Sequence, residues 1–151
     1  MRRHTVGEIA VMTINEPSRG EKKVMDLLRH GGLRFEREVS FEGLVGKKKV
    51  PLRFDFAVYN QKGELLVLID FDGEQHFKYV KYFHKTISGF KRAQERDRIK
   101  NKYCLKHNIP LIRIPFWDLE ELTLNKIFGT AEYRVENIYH NDYLARQLEV
   151  R

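Results

Sequence analysis

The segment that most constrains this chain is an apolar run that ends in acid. Leu65 to Ile69 are five consecutive apolar residues, followed at once by Asp70-Phe71-Asp72-Gly73. A short run that is apolar on both faces suits a strand lying inside a sheet, covered on both sides. Strand period two then places Asp70 and Asp72 on one face, roughly 6–7 Å apart. Two carboxylates at the covered end of such a strand are costly unless something neutralises them.

The rest of the chain supplies the neighbours that strand needs. Ser18 as N-cap and Glu21 three residues later form a capping-box pattern, and Val24, Leu27 and Leu28 give the following helix its apolar stripe up to Gly31-Gly32. Residues 33–42 and 50–59 read as strands, and Asn60-Gln61-Lys62-Gly63 as a hairpin turn before the third strand at 64–72. Residues 77–88 are aromatic and basic and read as a loop. Residues 89–107 form a long helix, 110–114 a fourth strand, 118–128 a helix and 137–149 a further one. Helix, three meandering strands, helix, strand, helix predicts an α/β fold with a mixed sheet. The 151 residues fit a single domain, with an N-terminal arm at 1–16, a core at 18–118 and a C-terminal helical extension at 119–151.

Four acids stand where packing would place apolar residues. Glu21 lies on the stripe of Val24 and Leu28, although the capping box also accounts for it. Asp55 interrupts Leu52-Arg53-Phe54-Asp55-Phe56-Ala57-Val58, and Asp70 and Asp72 end the third strand. A divalent ion relieves such a cluster, and Mg²⁺ (or Mn²⁺) prefers oxygen ligands and retains waters for chemistry. Asp55, Asp70 and Asp72 are the expected ligands. Gln75 and His76 follow just after the strand end, where a histidine can transfer a proton or bind metal. On the long helix Asp97 and Lys100 share a stripe with Ala93 and Cys104, so both face the sheet at least in part; a surface ion pair is the plainer account. Cys104 reads as core filler.

Charge identifies the partner class. The net charge is +7, yet residues 78–106 alone hold ten Lys/Arg against Glu95 and Asp97. A second cluster, Lys47-Lys48-Lys49, precedes a strand. One such cluster is ordinarily a solvated face; two bracketing a set of carboxylates predict a phosphate-binding surface. Lys47, Lys48, Lys49, Lys78, Lys81, Lys85, Lys91 and Arg92 are its expected members, with DNA as partner. No apolar run approaches a membrane span, and Met-Arg-Arg-His opens no signal core, so a cytosolic protein is expected. One cysteine excludes an internal disulfide and a Cys-rich zinc site.

Five stretches carry a family resemblance: Arg19-Gly20-Glu21-Lys22, Arg53-Phe54-Asp55-Phe56, Ile69-Asp70-Phe71-Asp72-Gly73-Glu74-Gln75-His76-Phe77, Gln94-Glu95-Arg96-Asp97-Arg98-Ile99-Lys100 and Leu111-Ile112-Arg113-Ile114-Pro115-Phe116-Trp117. Together they cover roughly residues 18–118. The chain resembles the PD-(D/E)XK nuclease superfamily, with its restriction-endonuclease-like core. More narrowly it is similar to phage and large-virus proteins related to very-short-patch repair endonucleases, some of them homing endonucleases with a Glu-Asp-x-His-Asp active site. The resemblance implies a central mixed sheet flanked by helices and a Mg²⁺-dependent endodeoxyribonuclease acting in a bacterial or phage-infected cell. Carried over, the helix glutamate falls on Glu21, the strand aspartate on Asp55, the histidine on His76 and the later aspartate on Asp97. Asp70 matches the (D/E). Asp72 stands where the superfamily has its lysine, and His76, Gln75 and Lys100 are the candidates to replace that lysine.

The expected activity is therefore metal-dependent hydrolysis of a DNA phosphodiester. A non-cleaving nucleic-acid-binding module on the same fold, which would bind without Mg²⁺, and a small-molecule phosphatase, which would need no extended basic surface, are the alternatives. Double-strand cutting commonly takes two sites, which makes a homodimer a candidate assembly, although no residue marks it.

Overall fold

The computed structural model describes residues 3–4, 16–78 and 80–138. Four strands form an open mixed sheet in the order β2 (Arg34–Phe41), β3 (Phe54–Tyr59), β4 (Leu65–Asp72) and β5 (Leu111–Pro115). The first three pair antiparallel, and β4 pairs β5 in parallel across the connection that carries the long helix. A two-residue strand β1 (Arg3–His4) adds to the outer edge beside Ser40 and Phe41. That is as much of the expected arm as is described; the short strand considered within 8–14 and most of the helix expected at 137–149 lie outside the described residues.

Helices cover both faces. Helix α1 (Arg19–His30) opens with the expected capping box: Ser18 Oγ accepts from the Glu21 amide, and the Glu21 carboxylate accepts from the Ser18 amide. Its buried Val24 and Leu28 pack with Phe56, Val58, Ile69, Ile112 and Ile114. The opposite face packs Ala57, Leu68 and Leu111 with Cys104 of the long helix. Cys104 is fully buried and is core, as its sequence context predicts.

Three boundaries differ from the sequence reading. The second strand begins at Phe54 rather than 50, because Pro51 has no amide to give a ladder; Pro51 makes only an isolated bridge with Val45. Within 77–88, Lys81–His84 form one helical turn (α2), before the long helix α3 (Ile87–Lys106). Phe77 is not a loop residue in solvent: it is fully buried, with its ring centroid 4.7 Å from that of Trp117. The helix expected at 118–128 divides into a tight 3₁₀ segment (Phe116–Glu121) and α4 (Leu124–Gly129). Thr123 caps a new start, accepting from the Lys126 amide.

Residues 119–138 are not an appendage. Leu119, Leu122, Ile127 and Tyr133 belong to the core beneath α1, and Arg134 bridges Ile112 on the outer edge of β5. They cover an edge strand that would otherwise stand open. The chain closes its described part with α5 (Val135–Ile138).

Candidate functional site

The site begins where β3 and β4 part. Their ladder pairs Phe56 with Ile69, and the register would next bring Asp55 opposite Asp70. There side chains replace the ladder bonds. The Asp55 amide donates to Asp70 Oδ1 at 2.8 Å, and the Phe71 amide donates to Asp55 Oδ2 at 2.8 Å. The strands fork, and two carboxylates sit in the crotch, each held by the other strand's backbone.

Groups from both faces of the sheet converge on this fork. From α3, Lys100 Nζ lies 2.5 Å from Asp70 Oδ2 and over the Phe54 ring at 4.8 Å. From α1, Glu21 approaches because the helix start is seated tightly on β4: a Cβ at Gly20 would fall 2.0 Å from the Phe71 ring. Arg37 of β2 stands 4.0 Å from Glu21. Burial, then the neighbouring Asp70 and Glu21 charges, hold the Asp55 carboxyl well above its usual range, with Lys100 opposing. Lys100 is itself pulled down by burial, but Asp70 and Asp55 outweigh that and raise its pKa.

Asp72 belongs to a second cluster one pleat further along. Its carboxylate is fully buried and accepts from Arg113 of β5 at 2.7 Å. The same guanidinium donates through Nε to Asn101 at 2.6 Å and to the Asp97 carbonyl at 3.3 Å, and stands 3.5 Å from Asp70 Oδ2. His76 Nδ1 lies 2.8 Å from Asp97 Oδ2 and 3.5 Å from Asp72 Oδ1. Burial alone would lower the histidine pKa, but Asp97 and Asp72 lift it to about 9, so the ring is an imidazolium at neutral pH. Burial would raise Asp97, yet the His76 and Arg113 charges hold it far below its usual range. Asp72 stays above its usual value because burial outweighs Arg113 and His76.

The expected site residues thus come together in two groups. Asp55, Asp70 and Lys100 meet at the fork, with the Glu21 charge near enough to act on Asp55, and Asp72, His76 and Asp97 meet beside it. Gln75 lies at the edge, in a cavity of about 450 Å³ that His76, Asp97 and Lys100 also line. Among the described residues one group has the spacing of metal ligands: Asp72, His76 and Asp97 present one ligand atom each, all within 4.8 Å of one another. Asp55 and Asp70 offer oxygen donors of the kind a hard divalent ion takes, with their carboxylates engaged by the Asp55 and Phe71 amides and by Lys100. Arg113 went unread as a site residue. Its mark was present in the sequence: a charge in the middle of the apolar strand Leu111-Ile112-Arg113-Ile114, the same anomaly that marks Asp55.

A second depression, of about 640 Å³, joins the cavity along shared Val50, Leu52 and Arg96. Lys47 and Lys48 line it from the β2–β3 connection, and Lys91, Arg92 and Arg98 from α3. The two basic clusters of the sequence therefore line one groove that continues into the cavity beside His76, Asp97 and Lys100. Exposed Lys49 sits in the same turn. Lys78 is engaged by Glu74, and exposed Lys81 and Lys85 stand on or beside α2, outside this groove. Arg53 and Arg96, not singled out by sequence, line the cavity itself. Among the described residues no helix is long and apolar enough to cross a membrane.

Three viral proteins are similar to parts of this chain. Uncharacterized protein 307L of Invertebrate iridescent virus 6 is 33% identical over 61 residues, 39% of this chain and 31% of its own. Uncharacterized protein 094L of Frog virus 3 (isolate Goorha) is 32% identical over 101 residues, 66% of this chain and 63% of its own. Uncharacterized protein 033L of Invertebrate iridescent virus 3 is 27% identical over 48 residues, 32% and 25% respectively. The chain thus spans less than two thirds of the length of each of these relatives. No protein-family model matches the chain, and no solved structure does.

Proposed function

We propose that this protein is a divalent-metal-dependent DNA endonuclease with a restriction-endonuclease-like core, working in a virus-infected cell. One observation carries the reading: Lys100, ion-paired to Asp70 at the strand fork, lines a cavity together with His76 and Asp97, and that cavity continues into a groove with lysines and arginines on both banks. Carboxylates that concentrate negative charge repel a polyanion unless a cation stands between them. The basic groove beside them supplies the rest of the grip on a phosphate backbone.

Glu21, Asp55 and Asp70 would hold the ion, Mg²⁺ or Mn²⁺. When bound it polarises the phosphate and makes a coordinated water acidic. The chain's own groups do the remaining work. Lys100, fixed against Asp70 and the Phe54 ring, is the candidate replacement for the superfamily's motif lysine that this reading adopts, and it would orient the attacking water or a phosphate oxygen. His76, already protonated, serves as proton donor to the leaving oxygen rather than as base, with Asp97 fixing its ring. Arg53 and Arg96 in the cavity wall hold the phosphate, and Lys47, Lys48, Lys91 and Arg92 hold its neighbours along the strand.

The test is supercoiled plasmid incubated with the protein and Mg²⁺, Mn²⁺ or EDTA. Nicked or linear product is expected with either metal and none with EDTA. Asp55→Asn should abolish product while a gel-shift with the same DNA persists. Cutting by Asp55→Asn at the parental rate would defeat the site assignment; binding with no product under any metal would leave the non-cleaving module.

A further inference from the structure

Among the described residues Arg113 is the largest fully buried side chain, with 1% of its surface exposed. Burying a guanidinium is costly unless its donors are matched to acceptors. Here they reach Asp72, Asn101 and Asp97 at the distances given above, and Asp70 stands at 3.5 Å. The two clusters face different cations. Arg113 stands 2.7 Å from Asp72 and 3.7 Å from Asp97. Lys100 stands 2.5 Å from Asp70, and Arg37 stands 4.0 Å from Glu21. Asp72, His76 and Asp97 have a spacing that could otherwise suit an ion, but the Asp72 oxygen nearest His76 is the one on which Arg113 donates.

We propose that Arg113 is a built-in cation standing where a second metal ion would otherwise bind. It neutralises Asp72 and Asp97 permanently and confines divalent-ion binding to Glu21, Asp55 and Asp70, one ion per chain. Arg113 is a positioning residue in this arrangement: it holds Asp97 and Asp72 against His76 and touches no substrate. The inference rests on the metal-centre reading above, not on cleavage. A guanidinium suits the task because its planar fork serves several acceptors at once and stays charged at any working pH.

Mn²⁺ binding to the purified chain, by calorimetry and by loss of the free-ion paramagnetic resonance signal, tests it without any nuclease assay. The wild type should bind one ion, Asp55→Asn none, and Arg113→Lys one. Arg113→Met should bind two, the second lost again in Arg113→Met/Asp72→Asn. Should Arg113→Met be too weak to fold without metal, Mn²⁺ should restore its melting transition, and Asp72→Asn should cancel the restoration. Two ions in the wild type, one ion in a folded Arg113→Met, or an unfolded Arg113→Met that Mn²⁺ fails to restore would overturn the role of Arg113. No ion in the wild type, or one ion surviving in Asp55→Asn, would instead defeat the metal-centre reading.

Discussion

The His76–Asp97 pair makes stability depend on pH in a defined window. An unfolded histidine titrates near pH 6.5, whereas His76 in the fold titrates near 9, because Asp97 at 2.8 Å and Asp72 at 3.5 Å outweigh the cost of burial. A group whose pKa rises on folding contributes in full below its unfolded value and loses that contribution as pH climbs through the folded one. The gap from 6.5 to about 9, at about 1.4 kcal/mol per pH unit, sets a ceiling of about 3 kcal/mol; the ring's side chain is 26% exposed, so solvent screening brings the value below that ceiling. At most about 1.4 kcal/mol of it is gone by pH 7.5 and nearly all by pH 9. Asp97 has the opposite sign: its pKa is depressed, so its contribution is present above its unfolded value and fades in acid below it. The pair is therefore at full strength between about pH 4 and 6.5. Cys104, whose thiol burial pushes up to about 12, begins to weaken the fold only above its ordinary value near 9, outside the window. Urea unfolding of metal-free protein at pH 6, 7.5 and 9, at fixed ionic strength, reads the decline. Asp97→Asn should remove most of it. A flat profile in the wild type, or the same decline in Asp97→Asn, would refute the reasoning.

Lys100→Met leaves buried Asp70 without the ammonium 2.5 Å away and should cost roughly 3–5 kcal/mol of apo stability. By calorimetry that is a melting point lower by at least about 6 °C, partly recovered on adding Mn²⁺. Charge reversal at Lys48, Lys91 and Arg92 should reduce the salt dependence of DNA affinity by about one unit of slope per lost contact, measured by fluorescence anisotropy; reversal at Lys126, outside the groove, should leave the slope unchanged. Gly20→Ala drives a methyl into the Phe71 ring and should destabilise by about 1–3 kcal/mol. Phe71→Leu added to the same chain should return part of that loss in chemical denaturation.

Much of the frame was legible because it is written locally. The capping box at Ser18 and Glu21, the both-faces-apolar run of β4 and the turn before it follow from neighbours in sequence, and each has its element. Asp55, Asp70, Asp97 and Lys100 were legible as charges on apolar stripes, and the structure buries or half-buries all four. What sequence could not supply was long-range. Strand period places Asp70 and Asp72 on one face, but only the approach of Arg113 from β5 and of Asp55 from β3 separates them into two clusters. His76 lies four residues from Asp72, but its second carboxylate partner, Asp97, comes from a helix 21 residues further on, and the two acids together move the ring out of the neutral range. Pro51 shortening β3 and Thr123 starting a new helix were both readable from single residues, and were outvoted by the apolar patterns around them.

The fork between β3 and β4 also provides reporters. Two main-chain amides, those of Asp55 and Phe71, donate to the carboxylates that would ligate the ion. An ion that draws electron density from those oxygens weakens both bonds, so the two amide protons shift upfield together and exchange with solvent faster. In a ¹⁵N-labelled sample these two cross-peaks read site occupancy directly, with no substrate present. Amides in the intact ladder at Phe56 and Ile69, one step away, provide the internal control.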